Sequence, residues 1–420
     1  MPAPPLSDLF RVFGRIGILS FGGPAAQIAL MHRELVETRG WLDEGGFLRA
    51  LSFCMLLPGP EAMQLATFAG WQLRGVAGGL IAGTLFVLPG AAIIFALAAA
   101  YAAFGAVPLA QALFLGIKAT VVVIVLQALA RLGNKALKTP ARWGIAGLSF
   151  LAIFLFALPF PLIIALAAGW GYAAATGTPL PRTADVAPPR TGRTIALWGA
   201  LWLGPVALLA AVGGGLLAQL ATFFSKLAAL TFGGAYAVLA WMAQEVVTDK
   251  GWLSPEQMID ALGLAETTPG PLILVTQFVG FLAGYGASGW GLAFAAGAVT
   301  LWVTFVPCFL WIFAGAPYVD RLADFPRLSA ALEAITAAVV GVILNLSLWF
   351  AAHVLFAEVG ALRAGPIDTI APVWASFKPR AALLTALAAL MLLGLRWPLP
   401  GVLALMAGAG AALGSGAFFL

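Results

Sequence analysis

Two blocks of this 420-residue chain lie over each other without a gap. Residues 19–60 read LSFGGPAAQIALMHRELVETRGWLDEGGFLRALSFCMLLPGP, and residues 230–271 read LTFGGAYAVLAWMAQEVVTDKGWLSPEQMIDALGLAETTPGP. One shift of 211 positions, the separation of Phe21 and Phe232, pairs Gly22-Gly23 with Gly233-Gly234 and Glu34 with Glu245. The same shift pairs Trp41 with Trp252, Pro58-Gly59-Pro60 with Pro269-Gly270-Pro271, and Arg15 with Lys226. Apolar helices resemble one another easily, but rare residues do not fall into one register by that route. Fainter echoes follow, GIKATVVVIVL (116–126) with AITAAVVGVIL (334–344) and PFPLIIALAAG (159–169) with PLPGVLALMAG (398–408). The chain reads as a duplication, with a first repeat over 1–180, a linker plus connecting helix over 181–217, and a second repeat over 218–420.

Composition says where such a duplication folds. The chain is 62% hydrophobic and 9% charged, with a mean hydropathy of +1.00, against about 25% charged residues in soluble domains. That places it in a bilayer as a multi-pass protein. The apolar runs lack the alternation of a membrane barrel, so the expected fold is an all-α polytopic bundle. The 49 glycines and 27 prolines fall inside apolar segments, as is usual for membrane helices. No cleavable signal peptide is evident, since Met1–Asp8 lacks a basic region and the first apolar stretch already holds Arg11 and Arg15. The net charge of +5 is topological and does not imply a nucleic-acid partner. Cys54 and Cys308 read as small core residues, and His32 and His353 as interface or packing residues. No metal spacing, cofactor motif or Walker A sequence is present. A chain of this kind is compatible with a homodimer.

Spans are expected near 8–31, 47–73, 75–103, 107–130, 143–158 and 160–176 in the first half. In the second they fall near 218–243, 257–284, 286–315, 329–357, 381–395 and 398–418, with 194–215 between the halves. That makes about thirteen transmembrane helices. An even-numbered half followed by one linking helix sets the second half upside down, the inverted-repeat plan of many secondary transporters. With the amino terminus inside, the acid-free loop 131–142 and the arginines at 182, 190 and 193 lie inside, as the positive-inside rule asks. The first two segments of each half carry glycine and proline breaks, and the alternative for them is a re-entrant hairpin.

Three features bear on chemistry. The FGG turns, with Gly22, Gly23, Gly233 and Gly234, let the backbone bend or approach a ligand; close helix packing is the plainer alternative. The Pro-Gly-Pro breaks at Pro58, Gly59, Pro60 and Pro269, Gly270, Pro271 split a helix in two. Backbone groups freed this way are tolerated in a membrane only inside protein or facing water. The restarting half-helix then offers amide donors and the positive end of its dipole, an anion site; a kink serving packing shape is the alternative. The third feature is charge in or beside apolar segments: Arg15, Lys118, Lys226, Glu61 and Glu266. Such groups pair, line a cavity or sit near an interface. Glu61 follows its break while Glu266 precedes its own, and neither has an acidic counterpart in the other repeat. Each is a candidate to carry a coupling proton or to join a salt bridge. Glu34 and Glu245, which precede Gly-Trp-Leu, are assigned a structural role over a gating one.

FGGP (21–24), FGGA (232–235), the paired Gly-Trp-Leu, LPGP (57–60) and TPGP (268–271) together resemble the chromate transporter family over essentially the whole chain. The resemblance implies export of chromate, a tetrahedral dianion, across the bacterial inner membrane, and with it chromate resistance. On that reading the half-helix starts and the hydroxyls of Thr267 and Thr268 donate to the anion, and Arg15, Lys118 and Lys226 supply positive charge. Glu61 or Glu266 carries a proton or repels the anion when ionised. Ala235 stands where the first repeat has Pro24, so the two halves are not expected to bind the anion alike. Competing readings are transport of sulfate or another oxyanion, a passive channel, and a membrane enzyme acting on a lipid phosphate, for which no catalytic constellation is seen.

Overall fold

The computed structural model describes residues 4–175, 191–232, 234–319 and 325–414. Most of the linker and Gly233 of the second FGG turn lie outside the described residues.

The first repeat opens with α1 (Leu6–Leu19) and α2 (Gly23–His32), followed by a π-turn over Arg33–Thr38. The span expected over 8–31 is thus divided at the FGG turn, where Gly22 and Gly23 take φ of +87° and +79°. That is left-handed backbone, which glycine adopts without steric cost. The span expected over 47–73 is divided again: α3 (Glu44–Leu56) stops before Pro58, and α4 (Glu61–Phe104) starts after Pro60. Pro58 and Pro60 carry no amide hydrogen for a continuous helix. α3 has 13 residues, about 20 Å at the helical rise, short of the ~30 Å hydrocarbon core. α4 doubles back at Arg74 (φ −144°) and Gly75 (φ +60°). Its arms pack without side chains between them, since a Cβ on Gly70 would overlap the Gly78 carbonyl and one on Gly78 the Gly70 carbonyl. The fold therefore places the boundary where the sequence expects one span to end and the next to begin.

The rest of the first repeat is α5 (Pro108–Ala136), α6 (Pro140–Phe156) and α7 (Phe160–Ala174). α8 (Thr191–Ala211) connects the repeats. The second repeat retraces the first. α9 (Leu216–Ala229) and α10 (Ala235–Ala243) flank the second FGG turn, and a π-turn over Gln244–Asp249 matches Arg33–Thr38 residue for residue. α11 (Pro255–Thr267) ends just before the second Pro-Gly-Pro. A 3-10 turn (Leu272–Leu274) then leads into α12 (Val275–Gly315), which doubles back at Ser288 and Gly289 as α4 does at Arg74 and Gly75. α13 (Pro326–Leu355) follows. The segment between it and α14 (Pro379–Ala389) forms an antiparallel hairpin, β1 (Val359–Ala364) and β2 (Ile367–Pro372). α15 (Leu399–Gly414) closes the described chain.

Five helical segments among the described residues are long and apolar enough to cross a membrane, and two of them are the doubled-back α4 and α12. Large apolar side chains stand exposed on the outer helices, Leu148 at 70% and Trp143 at 63% among them, the kind of surface a hydrocarbon solvent tolerates.

The chain forms two compact units, each drawing on both repeats. The first comprises Met1–Ala98, Ala175–Ala235 and Thr268–Ser329; the second Ala99–Ala174, Tyr236–Thr267 and Ala330–Leu420. In the first, α8 leans on α9 and α12, with Trp202 donating to the Ser225 hydroxyl and Trp198 stacked on Phe309. Cys54 and Cys308 are both buried in this unit. In the second, α5 lies against α14 and α15 around Val123, Leu384, Val402 and Met406. A Cβ on Gly116 would overlap the Met406 carbonyl, so glycine sets the closeness of that crossing.

Candidate functional site

In the first unit each Pro-Gly-Pro break meets the residue that precedes the FGG sequence of the other repeat, in a reciprocal exchange. α1 ends with Ser20, whose hydroxyl donates to the Ile16 carbonyl at 2.6 Å. α9 runs out at Thr231, whose hydroxyl donates to the Leu227 carbonyl at 2.6 Å. Each hydroxyl back-bonds its own helix, leaving its backbone carbonyl to point onward. The Ser20 carbonyl accepts from the Gly270 amide at 2.9 Å, and the Thr231 carbonyl from the Gly59 amide at 2.8 Å. Each Pro-Gly-Pro break is thus bonded to the FGG turn of the other repeat. A swap of equivalent contacts is what two copies related by a two-fold axis produce.

The breaks need glycine at their centres. Gly59 and Gly270 have φ of +127° and +91°. A Cβ on Gly59 would meet the Gln64 amide nitrogen and the Cys308 sulfur. Gly90, on the second arm of α4, leaves room for the Pro269 carbonyl, which a Cβ there would overlap.

Side chains then distinguish the halves. Gln27 donates to both the Ser20 carbonyl (3.2 Å) and the Gly270 carbonyl (2.7 Å), and its counterpart is Val238, which can do neither. Gln64, in the first turn of α4, donates to the Pro58 carbonyl at 2.7 Å, and its own carbonyl oxygen is buried without a partner. Glu61 opens α4, and its Oε1 lies 4.0 Å from where a Cβ on Gly234 would stand. The carboxylate of the first repeat therefore sits against the glycine turn of the second. Ala62 and Met63 stand in the first turn of α4, where helix-start amides point out of the helix.

The remaining sequence-derived candidates fall elsewhere. Arg15 is exposed on α1 and its Nη1 lies 3.8 Å from Glu34, which Arg39 also approaches at 3.6 Å. Lys226 is exposed on α9. Thr267 donates to the Leu264 carbonyl at 2.7 Å, so its hydrogen is spent inside α11, and Thr268 is buried. In the second unit Glu266 accepts from the Tyr236 hydroxyl at 2.5 Å, with Arg131 the cation in electrostatic reach. Lys118, also in this unit, lies 3.3 Å from Asp260, a buried acid on α11. Tyr101 donates to the same Asp260 oxygen at 2.8 Å. Sequence alone does not single out Asp260, although an acid inside the span expected over 257–284 was the available signal. Tyr101, Tyr236, Gln27 and Gln64 had none, because a tyrosine or glutamine in an apolar run looks like any other half-polar packing residue. No group of three or more His, Cys, Asp or Glu among the described residues is placed to hold a metal ion.

Residues 7–172 and 218–414 match the family described as Chromate transporter, in two segments that leave 173–217 between them. The chain is similar to a chromate transport protein of Pseudomonas aeruginosa, at 35% identity over 81% of this chain and 80% of that protein. It is similar to a chromate transport protein of Cupriavidus metallidurans, at 31% identity over 81% of this chain and 82% of the relative. A probable chromate transport protein of Synechococcus elongatus is likewise 31% identical, over 81% and 84% of the two chains. No solved structure matches the chain.

Proposed function

The chain belongs to the chromate transporter family, and on that premise we propose that it carries chromate out of the cytoplasm through the reciprocal site of the first unit. The observation that supports this reading is the paired bond from Gly59 to Thr231 and from Gly270 to Ser20. It ties each broken helix to the glycine turn of the other repeat, and beside such breaks a tetrahedral oxyanion can be met by backbone donors. Backbone amides at a helix start suit a dianion because they neither titrate nor need a counter-charge of their own. Glu61, beside Gly234, is the group that repels the anion when ionised and admits it when protonated. Arg15, already paired with Glu34 on an exposed helix face, gathers anions at the entrance.

Export is downhill for such an ion in a cell that is negative inside, since moving each charge is worth about 2.3 kcal/mol per 100 mV. The protein is accordingly read as a secondary transporter of the bacterial inner membrane that confers chromate resistance, with its two repeats inverted.

The test is chromate flux in proteoliposomes, with pH and membrane potential set independently and sulfate offered as competitor. The expected result is potential-dependent chromate movement that an equal concentration of sulfate reduces only partly. Preference for sulfate would move the reading to that oxyanion; no flux at any potential would reject transport. In the same assay Glu61→Gln, which removes the ionisable group beside Gly234, is expected to weaken the pH dependence of flux while chromate still binds, and an unchanged pH profile would remove Glu61 from this role.

A further inference from the structure

The second unit holds a carboxylate that packing alone does not explain. Asp260 is 3% exposed, on the face of α11 that packs against α5. Both of its donors grip one oxygen: the Tyr101 hydroxyl at 2.8 Å and the Lys118 ammonium at 3.3 Å both reach Oδ2. Oδ1 is buried with no hydrogen-bond partner. A buried ion pair built for stability satisfies both carboxylate oxygens, because each bare one carries a desolvation cost. Here one oxygen is left free to receive a proton. The position also has no acidic counterpart in the first repeat, where Arg49 occupies it, so the duplication does not account for it.

We propose that Asp260 is a proton-binding site of the transport cycle, and that the proton it takes on Oδ1 uncovers the charge of Lys118 for the oxyanion. With Asp260 ionised, Lys118 is neutralised across 3.3 Å. With Asp260 protonated, the ammonium keeps its charge but loses its counter-ion, and its side chain, 20% exposed, is reachable. Tyr101 holds Oδ2 in either state. Among the described residues, Glu256, one turn earlier on α11, and Lys378 and His353 are further charged and titratable groups in electrostatic reach of the cluster. The coupling has a definite sign. Proton binding favours anion binding, and by reciprocity the anion favours the proton, so the two travel in the same direction. A dianion accompanied by one proton still carries net negative charge outward, so the membrane potential drives export and the proton gradient opposes it.

The proposal rests on chromate transport, and two readouts keep the two apart. The first is proton movement in proteoliposomes loaded with a pH-sensitive dye. Potential-driven chromate entry is expected to acidify the lumen, and Asp260→Asn to lose that acidification per chromate moved. Tyr101→Phe, which removes a donor to the ionised form, is expected to shift the pH midpoint of transport upward. The second readout needs no transport: infrared titration of the purified protein is expected to show a carboxyl band that grows on acidification and is missing in Asp260→Asn. Absence of chromate flux with that band present would reject the functional reading and keep the proton site. Wild-type alkalinisation on chromate entry, an unchanged proton-to-chromate ratio in Asp260→Asn, or no band assignable to Asp260 would overturn the proposal.

Discussion

At residue scale the two breaks depend on Gly59 and Gly270. Each adopts a left-handed φ, and each donates its amide to the other repeat. Alanine at either position forces a side chain into backbone space that costs about 1–3 kcal/mol. At Gly59 it also collides with the Gln64 side chain and approaches Cys308. Gly59→Ala and Gly270→Ala are therefore expected to melt several degrees below wild type in detergent and to lose chromate flux. Gly14→Ala is the control, because nothing lies within 4 Å of a Cβ there and no left-handed backbone is involved. Its melting temperature is expected to match wild type or exceed it, since alanine is favoured over glycine in helices. Equal melting of all three variants would show that the breaks do not depend on their glycines.

At element scale the duplicated π-turns join the short opening helices to the helices that lead into the breaks. The turn over Arg33–Thr38 tucks the Trp41 amide onto the Leu35 carbonyl, and its twin tucks Trp252 onto Val246, both at 2.8 Å. Arg39 lies over the Trp41 ring and Lys250 over the Trp252 ring. Only the first turn is fastened by a histidine: His32 bonds Glu44 at 2.7 Å and Glu37 at 3.1 Å, tying the π-turn to the start of α3. The Glu44 hydrogen bond, against a smaller effect of burial, holds the His32 pKa above its ordinary value, with the Glu37 contact adding to it. A raised folded-state pKa contributes stability fully below the unfolded value, about 6.5, and that contribution fades as pH rises through the folded value. The stability difference between wild type and His32→Gln is accordingly expected to be present near pH 6 and to vanish well above neutrality. A difference constant with pH would show that the ring acts by packing on Phe47 alone.

Much at this scale is legible in the sequence. Rare residues repeated at a fixed shift locate both breaks and both FGG turns, because proline and glycine act on the backbone locally. What is not legible is partnership across the chain. Nothing local to Ser20 says that its carbonyl meets Gly270, or that Glu61 sits against Gly234 instead of its own break. Lys118 illustrates the same limit: read alone it is a free cation for the anion, and only the fold sets Asp260 beside it. The β1–β2 hairpin was likewise hidden, since its strands are short and mixed in composition.

At the scale of the whole molecule the two repeats do not fold as two separate bodies. Each contributes to both compact units, so the duplication is expressed as exchanged contacts instead of as independent domains. That explains why the carboxylates stand on opposite sides of their breaks. Glu61 follows its break into the first unit, while Glu266 precedes its own and belongs to the second, bonded to Tyr236. The halves share one backbone device and have been given different side chains. Whether this shared device holds the anion is decided by locating chromium from its anomalous scattering in crystals of the chromate-loaded protein. A chromium peak is expected among residues 20–23, 58–63, 231–232, 234 and 269–271; a peak elsewhere, with none at the breaks, would contradict that role.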